Sequence, residues 1–126
     1  MADPLILYEA RSPAVVLTLN RPDRRNALSR ALITALGEAF ERAANDSAAR
    51  CVILTGAGSV FCAGMDLAEL AESLAREVNA PGKRKPDSDS AIWDDATRLA
   101  RLYDRIYALP KPTMYSIWES RCVLVK

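Results

Sequence analysis

The sequence predicts one α/β domain built on a parallel strand–helix–strand unit, and three features carry that expectation. Two apolar runs, Ala14 to Asn20 and Cys51 to Thr55, flank an amphipathic stretch that starts behind Ser29. A glycine-rich turn from Gly56 to Gly64 follows the second run directly and leads into a further helical pattern at Asp66. A long amphipathic segment, Ala91 to Leu109, then stops against Leu109-Pro110-Lys111-Pro112-Thr113.

Along the chain, Leu5 to Ala10 and Ala14 to Asn20 read as two strands joined at Arg11-Ser12-Pro13. The second is nearly all apolar, which predicts burial on both faces, or at least a central position in the sheet. Arg21-Pro22-Asp23-Arg24-Arg25-Asn26 is a polar loop opened by a proline. Ser29 is placed to cap a helix running to about Ala44, in which Leu32, Ile33, Leu36, Phe40 and Ala43 recur at i, i+3 and i+4. Cys51 to Thr55 is short and apolar, as a buried strand requires. Asp66 to about Val78 is the next helix, with Leu67, Leu70 and Leu74 on one side and Glu69 and Glu72 as solvated surface charges. Asn79 to Ser90 has no periodicity and is rich in Pro, Gly, Lys and Asp, which reads as a mobile loop. In the last helix Ile92, Ala96, Leu99, Tyr103 and Ile106 form a stripe widened by Trp93, Ala100 and Tyr107, so most of its aromatics are expected in the core. The proline-rich stop then launches another strand.

Composition narrows the function classes. A chain of 126 residues, 50% hydrophobic, is long enough for one core. Its net charge is +1, and no basic block stands out beyond Lys83-Arg84-Lys85, so no nucleic-acid partner is expected. There is no basic leader, signal-like apolar stretch or membrane-spanning run, which together predict a soluble cytoplasmic protein with no membrane insertion. Cys51, Cys62 and Cys122 make no CxxC pair; Cys51 and Cys62 read as small apolar core residues. The sequence contains no histidine. Ser-His-Asp and Cys-His nucleophile systems, HExxH metalloproteases and most His-liganded metal sites are thereby excluded, and no metal site is expected. Proton transfer would fall to a carboxylate, Lys, Tyr or Cys.

The turn Leu54-Thr55-Gly56-Ala57-Gly58-Ser59-Val60-Phe61-Cys62-Ala63-Gly64-Met65-Asp66-Leu67 holds the most chemistry. Its glycines admit positive φ and a close approach of backbone to ligand. Asp66 suits an N-cap, and N–H groups around a helix start can hold a negative oxygen. The segment therefore reads either as a plain strand-to-helix connection or as half of an oxyanion hole. A nucleotide-binding reading of Gly56-x-Gly58 is weaker, because the third glycine of GxGxxG would fall on Phe61.

Three segments, in this order and spacing, resemble the first half of the crotonase (enoyl-CoA hydratase/isomerase) family. They are Leu19-Asn20-Arg21-Pro22-Asp23-Arg24-Arg25-Asn26-Ala27-Leu28, the Leu54 to Leu67 run, and Leu109-Pro110-Lys111-Pro112-Thr113. The resemblance covers roughly residues 5–113. It implies a ββα spiral assembled as trimers or hexamers, acyl-CoA thioesters as substrates, and an enolate whose oxygen is held by two backbone N–H groups. Coenzyme A enters as part of the substrate, and the resemblance implies no separate cofactor. Carried over by position, the first oxyanion donor is the backbone N–H of Met65. Ala63 lies against the CoA adenine and Gly64 beside it, Asp66 and Leu67 border the thioester, and Arg25 with Ala27 lies by the CoA phosphates and pantetheine.

The resemblance stops near Thr113. The family continues with a second glycine turn that supplies the other N–H and, in hydratases, a catalytic glutamate, whereas no glycine follows Gly82 here. Glu119, the carboxylate of the tail, has none of that context. Residues 1–113 are accordingly read as the N-terminal part of an acyl-CoA-binding domain and 114–126 as a divergent tail. The spiral is expected to be truncated after the first oxyanion turn and its following helix, with little activity alone. The alternative is a non-catalytic acyl-CoA-binding or subunit-interaction module.

Overall fold

A computed structural model describes residues 3–79, 88–118 and 121–124 of the chain. Strands β1 (Ile6–Arg11), β2 (Ala14–Leu19), β3 (Cys51–Gly56), β4 (Thr113–Trp118) and β5 (Arg121–Leu124) form one sheet in sequence order. Helices α1 (Arg30–Asn45), α2 (Leu67–Val78) and α3 (Ser88–Ala108) are the crossovers. The pairs β2–β3 and β3–β4 are parallel, while β1–β2 and β4–β5 are antiparallel. The strand–helix–strand unit over residues 14–55 is therefore present, and the same connection recurs between β3 and β4. Tail residues 121–124 turn back along β4 as a hairpin strand, with a register shift between Ser116 and Trp118.

Register explains the core. Val15 pairs with Val52 and Leu17 with Leu54, so these buried side chains share one face. Thr113 and Tyr115 continue that face on β4. Onto it α1 presents Leu32, Leu36 and Phe40, and α3 adds Leu102 and Ile106. β2 takes the central position that its apolar run predicts, paired with β1 and β3, but it is not buried on both faces: Ala14, Val16 and Thr18, on the opposite face, are only half-buried. A strand paired on both edges need not be covered on both faces, and an apolar run does not distinguish the two cases.

Ser29 caps α1 as its position predicts, its Oγ accepting from Leu32 N–H at 3.1 Å. At the other end of α1, Lys111 Nζ donates to the Ala43 and Asp46 carbonyls at 2.8 and 2.6 Å. The lysine of Leu109-Pro110-Lys111-Pro112-Thr113 thus closes a helix C-terminus whose carbonyls favour a cation.

Helix α3 differs most from its sequence reading. It begins at Ser88 rather than Ala91, so Ser88 to Ser90 leave the expected loop, and residues 80–87 of that loop lie outside the described ones. Its buried stripe is Asp95, Leu102 and Ile106, followed by Leu109, with Leu99 packed against the core. Trp93, Tyr103 and Tyr107 are 69%, 53% and 70% exposed, so the aromatic core face is corrected to an outward one. The rotation has a cause. Arg30 at the start of α1 donates from Nε and Nη2 to the two oxygens of Asp95 at 2.7 and 3.0 Å, and this fork draws the Asp95 side of α3 inward.

Candidate active site

The candidate site is a junction of two loops. Leu19 is followed by a 3₁₀ turn, Pro22–Arg24, and then by two residues with positive φ, Arg25 (52°) and Asn26 (55°). Asparagine tolerates that conformation better than most side chains, and here it uses it. The fully buried Asn26 donates through Nδ2 to the Ala57 and Val60 carbonyls at 2.9 and 2.7 Å. Its Oδ1 accepts from Arg21 N–H at 2.9 Å. One amide thus ties the first loop to the glycine turn.

Gly56 and Gly64 are needed for different reasons. A Cβ on Gly56 would run into the Phe61 carbonyl oxygen and would lie 2.8 Å from Phe61 Cα and 2.9 Å from Asn26 Nδ2. Gly64 has open space around it, but its φ is +91°, which an L side chain resists. Gly56→Ala should therefore destabilise by about 2 kcal/mol through backbone overlap, and Gly64→Ala by about 1 kcal/mol through strain alone. Urea unfolding of the two variants checks the order; equal losses would refute the steric reading of Gly56.

The second half of the turn lies along the first loop. Ala63 N–H donates to the Arg25 carbonyl at 3.0 Å, Leu28 N–H to the Gly64 carbonyl at 2.7 Å, and Asp66 N–H to the Leu28 carbonyl at 3.1 Å. The last two bonds form a parallel bridge between Leu28 and Met65. In such a bridge the flanking groups of Gly64 and Asp66 turn toward Leu28, so the N–H of Met65 turns away. Among the described residues it has no acceptor. A backbone donor fixed on both sides and left unbonded is a preorganised place for a developing oxyanion.

Asp66 sets where α2 begins. Its Oδ1 accepts from Ala68 and Glu69 N–H at 3.1 and 3.2 Å, the N-cap expected of it. Its Oδ2 accepts from Arg21 Nη1 at 2.6 Å, and the same Arg21 nitrogen donates to the Ala27 carbonyl at 3.0 Å. The Arg21 bond, followed by the Glu69 amide, holds the Asp66 carboxyl below its ordinary range despite burial. Glu69 is corrected from a solvated charge: its Oε2 accepts from Arg30 N–H at 2.8 Å and satisfies an unpaired donor at the start of α1.

The residues read from the sequence thus fall on two adjoining segments, Arg25 and Ala27 on one and Ala63, Gly64, Met65, Asp66 and Leu67 on the other. Arg25 is exposed, and its guanidinium makes no hydrogen bond or ion pair among the described residues. Leu67 projects into solvent at 72% exposure. Cys51 and Cys62 are half-buried; Cys62 packs against the core, as its reading predicts, and its Sγ accepts from Gly64 N–H at 3.4 Å. Arg21 and Asn26 are the positioning residues that the sequence reading missed; an Asn next to a cluster of arginines was the available signal for one of them. No group of three potential metal ligands occurs among the described residues.

Comparison with known proteins assigns the class. Residues 9–114 match the enoyl-CoA hydratase/isomerase family, and the chain belongs to it. It is 50% identical over 64 residues to an enoyl-CoA hydratase of Mycobacterium tuberculosis, covering 51% of this chain and 24% of that protein. It is 34% identical over 112 residues to the 1,2-epoxyphenylacetyl-CoA isomerase of Escherichia coli, covering 89% of this chain and 39% of that one. An enoyl-CoA hydratase/isomerase structure from Xanthobacter autotrophicus superposes with a TM-score of 0.75 at 29% identity, covering 90% of this chain and 38% of that one. The fold is therefore crotonase-like, and the chain spans well under half the length of these relatives. Among the described residues, no helix is long and apolar enough to cross a membrane.

Proposed function

We propose that this chain is the coenzyme-A-binding part of an enzyme acting on acyl-CoA thioesters through an enolate, with the Met65 N–H as one of its oxyanion donors. The observation that supports this most directly is that donor itself: it is fixed by the Leu28–Met65 bridge, turned away from it, and unbonded among the described residues. An enolate concentrates charge on the former thioester oxygen, and a fixed donor stabilises that charge without reorganising. The second donor and the acid–base carboxylates would lie in the length of the relatives that this chain does not span. Under the same reading the unpaired Arg25 guanidinium lies by the CoA phosphates, Ala27 flanks the pantetheine, and Ala63 with Gly64 lies against the adenine. Asp66 and Leu67 then border the thioester, and the working assembly is a homo-oligomer.

Acetoacetyl-CoA tests this reading, because its enolate absorbs in the near ultraviolet and reports stabilised oxyanion directly. Titration should give saturable binding with a rise in enolate absorbance. Met65→Pro, which deletes the N–H, should weaken binding about tenfold or more. An unchanged affinity in a folded Met65→Pro variant would refute the assignment of the donor.

A further inference from the structure

Away from the two loops, the outer sides of α1 and α3 leave a groove of about 680 Å³ between them. Ile33 and Leu102 form its apolar floor. Its two walls carry opposite charge. Glu38 and Glu41 stand on the α1 side; on the α3 side three arginines, Arg98, Arg101 and Arg105, outweigh Asp104. All six side chains are exposed. Among the described residues Glu38, Glu41, Arg101, Asp104 and Arg105 make no hydrogen bond or ion pair, and Arg98 reaches Asp95 at 3.9 Å. Gly37 sets the level at which the walls meet. Nη1 of Arg105 lies 3.2 Å from where a Gly37 Cβ would stand, so this mid-helix glycine lets a guanidinium lie against α1. Glu38 follows Gly37 directly and Glu41 comes one turn later, which puts the acidic and basic groups at the same height along the groove.

We infer that this groove is a two-fold contact between copies of the chain, in which α1 of each copy lies over α3 of the other. A half-turn about an axis along the groove exchanges the walls. It sets Glu38 and Glu41 of each copy against Arg101 and Arg105 of the other. An axis across the groove would instead set α1 on α1 and α3 on α3, like charge facing like, so the charges choose the first arrangement. Guanidinium forks suit carboxylate partners in such a contact. A single exposed ion pair contributes little, but two-fold symmetry makes every pair twice and encloses the floor around Leu102. A three-fold ring is closed by head-to-tail contacts, so this self-complementary face is a different surface from one that would close a trimer. The inference stands apart from the acyl-CoA reading, and neither depends on the other.

Charge reversal of each wall tests the contact, with sedimentation equilibrium as the readout and circular dichroism as the check on folding. The unmodified chain should associate reversibly at micromolar concentration in low salt, and added salt should weaken that association. Glu38→Lys with Glu41→Lys makes both walls basic, and Arg101→Glu with Arg105→Glu makes both acidic. Each double variant alone should associate at least about tenfold more weakly than the unmodified chain. An equimolar mixture of the two should associate again, because each basic wall then meets an acidic one. If a reversed variant unfolds, Glu38→Gln with Glu41→Gln takes its place and should still weaken association. An unmodified chain that stays monomeric overturns the inference. So does a folded variant that associates as the unmodified chain does, or a mixture of folded variants that stays apart. Acyl-CoA binding, measured separately by titration, is left standing by each of these failures.

Discussion

Asn26→Ala is expected to destabilise the chain by about 4 kcal/mol, the largest single effect anticipated at the site. The side chain is fully buried and makes three hydrogen bonds, two from Nδ2 to the Ala57 and Val60 carbonyls and one from Arg21 N–H to Oδ1. Removing it leaves two carbonyls and an amide without partners in a place water does not easily reach, at about 1–3 kcal/mol for each unsatisfied group. Alanine also inherits a φ of 55° that it tolerates less well. Asn26→Gly removes the same three bonds but not the conformational freedom, so it should recover only about 1 kcal/mol of the loss. Urea denaturation measures both variants, and amide exchange at Leu28 and Asp66 shows whether the two loops separate before the core unfolds. A stability change below about 1 kcal/mol for Asn26→Ala would mean that the loops hold together without their central amide. Against a typical domain stability of about 5–15 kcal/mol, the expected loss places the variant near unfolding, and acetoacetyl-CoA binding should fall with it.

The sheet and α1 were legible because local pattern and tertiary outcome agree there. β-Branched apolar runs became paired strands, a serine became the cap it looked like, and the i, i+3, i+4 stripe of α1 became its buried face. Helix α3 shows where such agreement ends. Its sequence offers one apolar stripe, Ile92, Ala96, Leu99, Tyr103 and Ile106; Leu99 and Ile106 keep the core side, while Asp95 and Leu102 are buried and Ile92 and Tyr103 are exposed. The buried Asp95 is paired with Arg30, 65 residues away, and such partners carry no mutual signal in one sequence. The same holds for Glu69, whose partner is the backbone of Arg30, and for Arg21, whose partner is Asp66 across 45 residues. Motif residues on the glycine turn could be named in advance because turns are local. The side chains that fix one turn against the other could not.

The Arg21–Asp66 pair carries the second large prediction, which includes a pH dependence. Asp66 is 9% exposed and Arg21 21%, so removing one partner strands the other charge with little solvent. Asp66→Ala, which also deletes the cap of α2, should destabilise by about 3 kcal/mol. Asp66→Asn keeps an N-cap oxygen for Ala68 and Glu69 N–H and should lose only about half as much. The sign with pH follows from the carboxyl being held below its ordinary value of 3.8 by Arg21. A depressed folded pKa means that the unfolded chain takes up the proton first. The stabilisation is fully present above the ordinary value and is lost as pH falls through the folded one. The chain should therefore lose stability on acidification below about pH 4, and the part of that loss belonging to Asp66 should vanish in Asp66→Asn. Parallel acid titrations of the unfolding midpoint compare the two. Identical slopes would show that the pair contributes no linkage, whereas a flatter slope in the variant assigns it to this carboxylate. Because Asp66 follows Met65 directly, loosening the pair also frees the donor that the proposed chemistry needs. Acetoacetyl-CoA binding should therefore weaken at neutral pH in Asp66→Ala even where the chain remains folded.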